Sequence, residues 1–108
     1  MTAEPRITLP TALVLNGIDR GLRYGFELID ASGLGAGTIY PILRRLEDAG
    51  CVIGAWEPVA VSRSEGRPPR RYYRLTASGE ALLGTARQRY PHAARALGGG
   101  GTPSPKRV

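Results

Sequence analysis

Five arginines, Arg63, Arg67, Arg70, Arg71 and Arg74, fall within twelve residues, and the one acid among them is Glu65. A guanidinium stays charged and presents a planar fork of donors that matches phosphate oxygens, so such a run suits a polyanion. Gly66, Pro68 and Pro69 punctuate the run. They would let a stiff loop lie close to a nucleic-acid backbone or minor groove without a large loss of entropy. A second set is Thr38, Tyr40, Pro41, Arg44 and Arg45. Tyr40 and Arg44 stand one helical turn apart, and an arginine so placed can bond guanine O6 and N7 or pair with a phosphate. Arg44 is the candidate base reader.

Other chemistries find no support. No Ser/His/Asp set, phosphate-binding glycine loop or paired carboxylate frames a catalytic site, so no enzyme activity is expected. Cys51 is the single cysteine and His92 the single histidine. They cannot form an internal disulfide or supply three or four metal ligands, and no cofactor is expected. The 15 Lys and Arg against 9 Asp and Glu leave a net charge of +6, which attracts polyanions at long range. Double-stranded DNA is the leading partner. No stretch approaches the ~18 apolar residues of a membrane span, and the start carries Glu4, Pro5 and Arg6 rather than an apolar core. A cytoplasmic protein with no membrane partner is expected.

Periodicity and punctuation define the elements that must carry these residues. The 108 residues allow one small domain. A short helix follows Pro10 and runs over residues 11–15 to a stop at Asn16-Gly17. A second, with Tyr24, Phe26, Leu28 and Ile29, ends at Ser32-Gly33. In the third, Ile39, Ile42, Leu43, Leu46 and Ala49 form a stripe about 120° wide, which leaves Tyr40, Pro41, Arg44 and Arg45 on or beside the opposite face. Pro41 leaves the start open between Gly35, where its ring would crowd a carbonyl four residues back, and Gly37 or Thr38, which removes that conflict. Residues 51–57, 59–61 and 70–75 are rich in β-branched and aromatic side chains and predict a hairpin with a long tip. One of Tyr72 and Tyr73 should face inward and the other outward. Trp56 reads as core or interface filling and Cys51 as buried filler. Thr76 caps a last helix carrying Leu82, Leu83, Ala86 and Tyr90, which Pro91 ends or kinks.

Helix, helix, helix, hairpin, helix is the order of a winged helix-turn-helix, in which the third helix enters a major groove. The expected fold is mainly α with a small β-hairpin and a C-terminal dimerisation helix. Residues 1–7 form a flexible arm, 8–76 the DNA-binding domain, 77–97 the dimerisation helix, and 98–108 (GGGGTPSPKRV) a disordered tail. The dimer is expected because Leu82, Leu83, Ala86 and Tyr90 offer more apolar surface than a small winged core covers, with Leu13 and Val14 as partners across a two-fold axis.

Residues 12–83 resemble the PadR family of bacterial transcriptional regulators, above all in Tyr24-Gly25-Phe26-Glu27-Leu28, in the segment from Gly37 through Tyr40-Pro41 and Arg44-Arg45 to Glu47, and in Pro68-Pro69-Arg70-Arg71-Tyr72-Tyr73-Arg74-Leu75-Thr76. The resemblance implies a homodimeric repressor that binds an inverted-repeat operator and is often released by a small molecule. Gly35 stands where a helix-capping serine is common in the family, Cys51 where an aliphatic residue is common, and the segment after Tyr90 is short. The expected DNA contacts are Tyr24, Thr38, Tyr40, Pro41, Arg44, Arg45, Arg63, Arg67, Arg70 and Arg71. The alternative is a winged-helix adaptor that docks another protein through these surfaces and lacks specific DNA binding.

Overall fold

The computed structural model describes residues 5–97. Thr8 opens the first helix, its Oγ1 accepting from the Thr11 amide at 3.3 Å, and Pro10 occupies the first turn, where no amide donor is required. This helix, α1 (Leu9–Arg20), passes straight through Asn16-Gly17 and stops only at Gly21, whose φ is +109°. Asn16 does not turn the chain because its amide is satisfied within the helix layer. Its Nδ2 donates to the Ala12 carbonyl at 2.8 Å, and its Oδ1 accepts from Arg87 Nε at 3.3 Å. Gly17 serves packing: a Cβ there would stand 2.5 Å from Leu28 Cδ2.

Helix α2 (Gly25–Ser32) ends at Gly33, φ +76°, and Ser32 Oγ accepts from the Leu34 amide at 3.1 Å to shape the turn into α3 (Ala36–Asp48). Helix α3 buries Ile39, Ile42, Leu43 and Leu46, the predicted stripe. Its start at Ala36 settles the open boundary and places Pro41 inside the helix. Gly37 and Pro41 are both exposed, so the Gly37 carbonyl that the proline cannot bond lies on the solvent side of the helix.

The hairpin pairs β1 (Val52–Trp56) with β2 (Arg71–Leu75) antiparallel, from Val52 opposite Leu75 to Trp56 opposite Arg71. Residues 59–61 are not strand. They begin a helix, α4 (Val59–Glu65), that follows Pro58 and closes at Gly66 with φ +65°. Ser62 is buried in this helix and donates to the Val59 carbonyl at 3.0 Å, a local bond that overrides the β propensity of the two valines. Tyr73 faces inward and is buried; Tyr72 faces outward, paired with Tyr24 across an isolated bridge. The Tyr73 amide donates to the Arg23 carbonyl at 2.8 Å, so the free edge of β2 is covered by the approach to α2.

Thr76 caps α5 (Ala77–Arg89) as expected, accepting from the Gly79 amide at 3.1 Å. Gly79 has no room for a side chain because the Cys51 carbonyl crosses directly above it. After Pro91 a short 3-10 turn, Ala93–Ala96, returns Leu97 to the core. Leu82, Leu83 and Ala86 lie in one buried cluster with Leu13, Val14 and Ile18 of the same chain. The surplus that motivated a dimer face is therefore consumed internally, because α1 continues to Arg20 and offers α5 a longer apolar track than a five-residue helix would. Tyr90 is half-buried against the same cluster. Ile7, expected in a flexible arm, is also part of this core, and Arg89 donates to its carbonyl at 3.4 Å. Residues 1–4 and the expected tail at 98–108 lie outside the described residues.

Candidate nucleic-acid interface

Helix α3 is fastened from behind by side chains that see almost no solvent, so its outer face is presented by a rigid support. Gly37, Thr38, Pro41, Arg44, Arg45 and Asp48 are exposed along that face, and Tyr40 is partly exposed beside it. The guanidinium groups of Arg44 and Arg45 take part in none of the hydrogen bonds, ion pairs or ring contacts among the described residues. A pair of unengaged arginines on the outer turns of such a helix is free to bond base edges or phosphates.

The wing arginines divide into two groups. Arg67 grips the buried carboxylate of Glu57 through two nitrogens, at 2.5 and 3.1 Å, while its Nε donates to Glu65 at 2.9 Å. The Arg70 backbone amide adds a bond to Glu57 at 2.9 Å. The Arg67 bonds, aided by that amide, hold the Glu57 carboxyl below the usual glutamate range despite its burial. Arg71 donates to Glu47 of α3 at 2.5 Å, and its guanidinium lies 5.4 Å from the Trp56 ring centroid and 5.9 Å from that of Tyr73. Arg67 and Arg71, both expected to contact DNA, are engaged within the chain, Arg67 as a strut inside the wing and Arg71 as a tie between wing and α3. Arg63 and Arg74 are exposed and unengaged among the described residues.

Arg70 belongs to neither group. Its guanidinium lies 4.1 Å from the centroid of Tyr24, which meets Tyr72 edge to face with centroids 5.5 Å apart. Burial, with Glu27 nearby, pushes the Tyr24 hydroxyl up, so the group stays a neutral donor across the physiological range. Thr38, Tyr40, Pro41, Arg44 and Arg45 thus share one helix, Arg63 projects from the wing tip, and Tyr24 and Arg70 stand together where wing meets α2.

Sequence reasoning missed a cleft of about 390 Å³ that opens between the start of α2, Tyr40 of α3 and the wing, with Phe26, Trp56, Pro68 and Arg70 among its walls. Phe26 is 68% and Trp56 63% exposed, so Trp56 does not fill the core of this chain. Strand alternation carried no signal for this: Trp56 shares a face with buried Val52, and it is exposed because it ends the strand opposite Arg71 rather than an apolar partner. Among the described residues no group of three or more His, Cys, Asp or Glu could hold a metal ion. No described helix is long and apolar enough to cross a membrane.

Residues 14–85 match the family described as transcriptional regulator PadR-like. Three solved structures are similar over most of the chain. A PadR family transcription regulator from hypervirulent Clostridium difficile R20291 has a TM-score of 0.65 at 22% identity, covering 83% of this chain and 95% of that one. A Streptococcus transcriptional regulator has a TM-score of 0.59 at 29% identity, covering 79% and 84%. A PadR-like transcription factor from Bacteroides fragilis has a TM-score of 0.62 at 23% identity, covering 81% and 84%. No curated protein matches the chain. The expected winged fold, mainly helical with a two-stranded hairpin, is the fold these structures share.

Proposed function

The chain belongs to the PadR-like family of transcriptional regulators, and from that membership we propose that it is a sequence-specific repressor, binding an inverted-repeat operator as a homodimer. The observation that carries the reading is the pair Arg44 and Arg45, unengaged on the outer face of a helix whose inner face is fully packed. Arg44 reads a base edge, with Thr38, Pro41 and Arg45 around it. Arg63, Arg74 and the Tyr24 hydroxyl meet the flanking phosphates. Two copies of α3 would lie about 34 to 36 Å apart, in successive major grooves on one side of the duplex. Occupancy of a promoter by such a dimer blocks transcription, and a small molecule that weakens binding restores it.

Selection of duplexes from a random pool tests this. The expected product is an inverted repeat, bound by two chains per duplex in sedimentation and preferred over a scrambled duplex by about a thousandfold or more. If selection yields no shared sequence and the complex holds one chain per duplex, the specific-repressor reading fails and the adaptor reading replaces it.

A further inference from the structure

Phe26 and Trp56 are the most exposed large apolar side chains among the described residues, and both stand at the cleft between α2, α3 and the wing, with Tyr40 partly exposed beside them. Leaving such rings in water forgoes the burial that aromatic side chains ordinarily gain. The charge around them is positive. No carboxylate lines the cleft, and Arg70, whose guanidinium is bonded to the Tyr72 side chain, has no acid paired to it. On α3, Tyr40 precedes the unengaged Arg44 by one turn, about 6 Å of helix rise, and Arg45 follows directly. The rings are held in place beforehand: Pro68 and Pro69 stiffen one wall, the bonds of Glu57 to Arg67 and the Arg70 amide fix that wall to β1, and Tyr40 rests on Gly25.

Ring faces and free cations together select among partners. A second copy of this chain would set another net charge of +6, and the same arginines, against these, which repels. Duplex DNA matches the charge but leaves the rings without a counterpart, because a paired base lies inside the stack and shows only its edge in a groove. A single strand supplies both, phosphates for the arginines and uncovered base faces for the rings. The volume of about 390 Å³ lies at the small end of ligand pockets, which run about 300 to 1,000 Å³. It suits one unstacked base rather than a pair.

We propose that this cleft is a stacking platform for single-stranded nucleic acid, an unpaired base lying among Phe26, Tyr40 and Trp56 while the neighbouring phosphates run onto Arg44 and Arg45. This is a second mode of nucleic-acid binding, distinct from the docking of α3 in a major groove. It needs neither a dimer nor an operator, so it does not rest on the repressor reading.

Trp56 is the one tryptophan of the chain, so its emission reports on the cleft, while the anisotropy of an end label reports affinity. The probes are an oligothymidylate of about twelve nucleotides, within the span of known single-strand sites, an abasic strand with the same number of phosphates, and a duplex of the same length. The thymidylate is expected to quench Trp56 along a saturable curve and to bind about tenfold more tightly than the abasic strand, as stacking of a base on a ring provides. Phe26→Ala should remove most of that factor, leave the abasic strand's affinity unchanged and keep the urea midpoint, since Phe26 is exposed. Arg44→Ala should weaken both strands alike. Equal affinity for thymidylate and abasic strand, or thymidylate bound with Trp56 emission unchanged, overturns the platform and leaves attraction by charge alone. A duplex that quenches Trp56 as strongly as the single strand overturns it too. Emission that shifts with protein concentration alone would give the cleft to a second copy and overturn the proposal. A chain that binds thymidylate as expected yet selects no duplex keeps the platform and loses the repressor reading. One that selects an inverted repeat yet fails with thymidylate loses the platform alone.

Discussion

The ring of Tyr40 lies so close over Gly25 that a Cβ at residue 25 would come within 2.6 Å of Tyr40 Cζ. Alanine is the better helix former, so on propensity alone Gly25→Ala would stabilise α2. Overpacking against a ring held by α3 should win, at a cost of about 1 to 3 kcal/mol in urea unfolding. In a Tyr40→Ala background the same substitution should cost far less, and a double-mutant cycle with no coupling would show that the two residues act independently.

Arg44→Ala should lose about 1 to 3 kcal/mol on the selected duplex and much less on a scrambled one. Titrating both duplexes at one salt concentration measures the ratio. An unchanged ratio would reassign base reading to another residue of α3.

Arg63 and Arg67 should behave differently although both belong to the wing. Arg67→Ala strands the Glu57 carboxylate and should lower the urea midpoint and expose the wing to protease. Arg63→Ala should leave the midpoint where it is and reduce the slope of log K against log salt by about one unit for each phosphate that a protomer no longer neutralises. A salt slope that responds to Arg67→Ala with no change in stability would restore Arg67 as a phosphate ligand.

Acid should loosen the wing before the helical core. The Glu57 carboxyl is held below its ordinary value, chiefly by Arg67, so its contribution is complete above the unfolded value of about 4.3. That contribution is lost as pH falls through the lower folded value. Trp56 emission followed from pH 6 down should be flat until below the normal glutamate range and then change. The change should move to higher pH in Arg67→Ala, and a coincident transition in both proteins would contradict the linkage.

The parts legible in the sequence were those decided by local rules. The α3 stripe, the Thr76 cap and the glycine turn at Gly33 each depend on neighbours within a few residues. Asn16-Gly17 misled because its partners, Arg87 and Leu28, are remote in sequence. The same holds for the arginines: Arg71 finds Glu47 across 24 positions and Arg67 finds Glu57 across 10, so a count of charges overstated the free positive patch. Helix α4 lay hidden because two valines in a short run read as strand. The final helix looked apolar in excess only because the extent of α1 beneath it was underestimated.

The bridge from Tyr24 to Tyr72 and the bond from the Tyr73 amide to the Arg23 carbonyl fasten the wing to the helix-turn-helix at its sheet edge. With Arg71 holding Glu47 from the other side, the separation between Arg44 and the wing cations Arg63 and Arg74 is set when the chain folds. Little conformational entropy then remains to be lost on meeting DNA. On the DNA-binding reading proposed above, such a head would close on DNA like a fixed calliper on a matching span, with little backbone movement expected on binding.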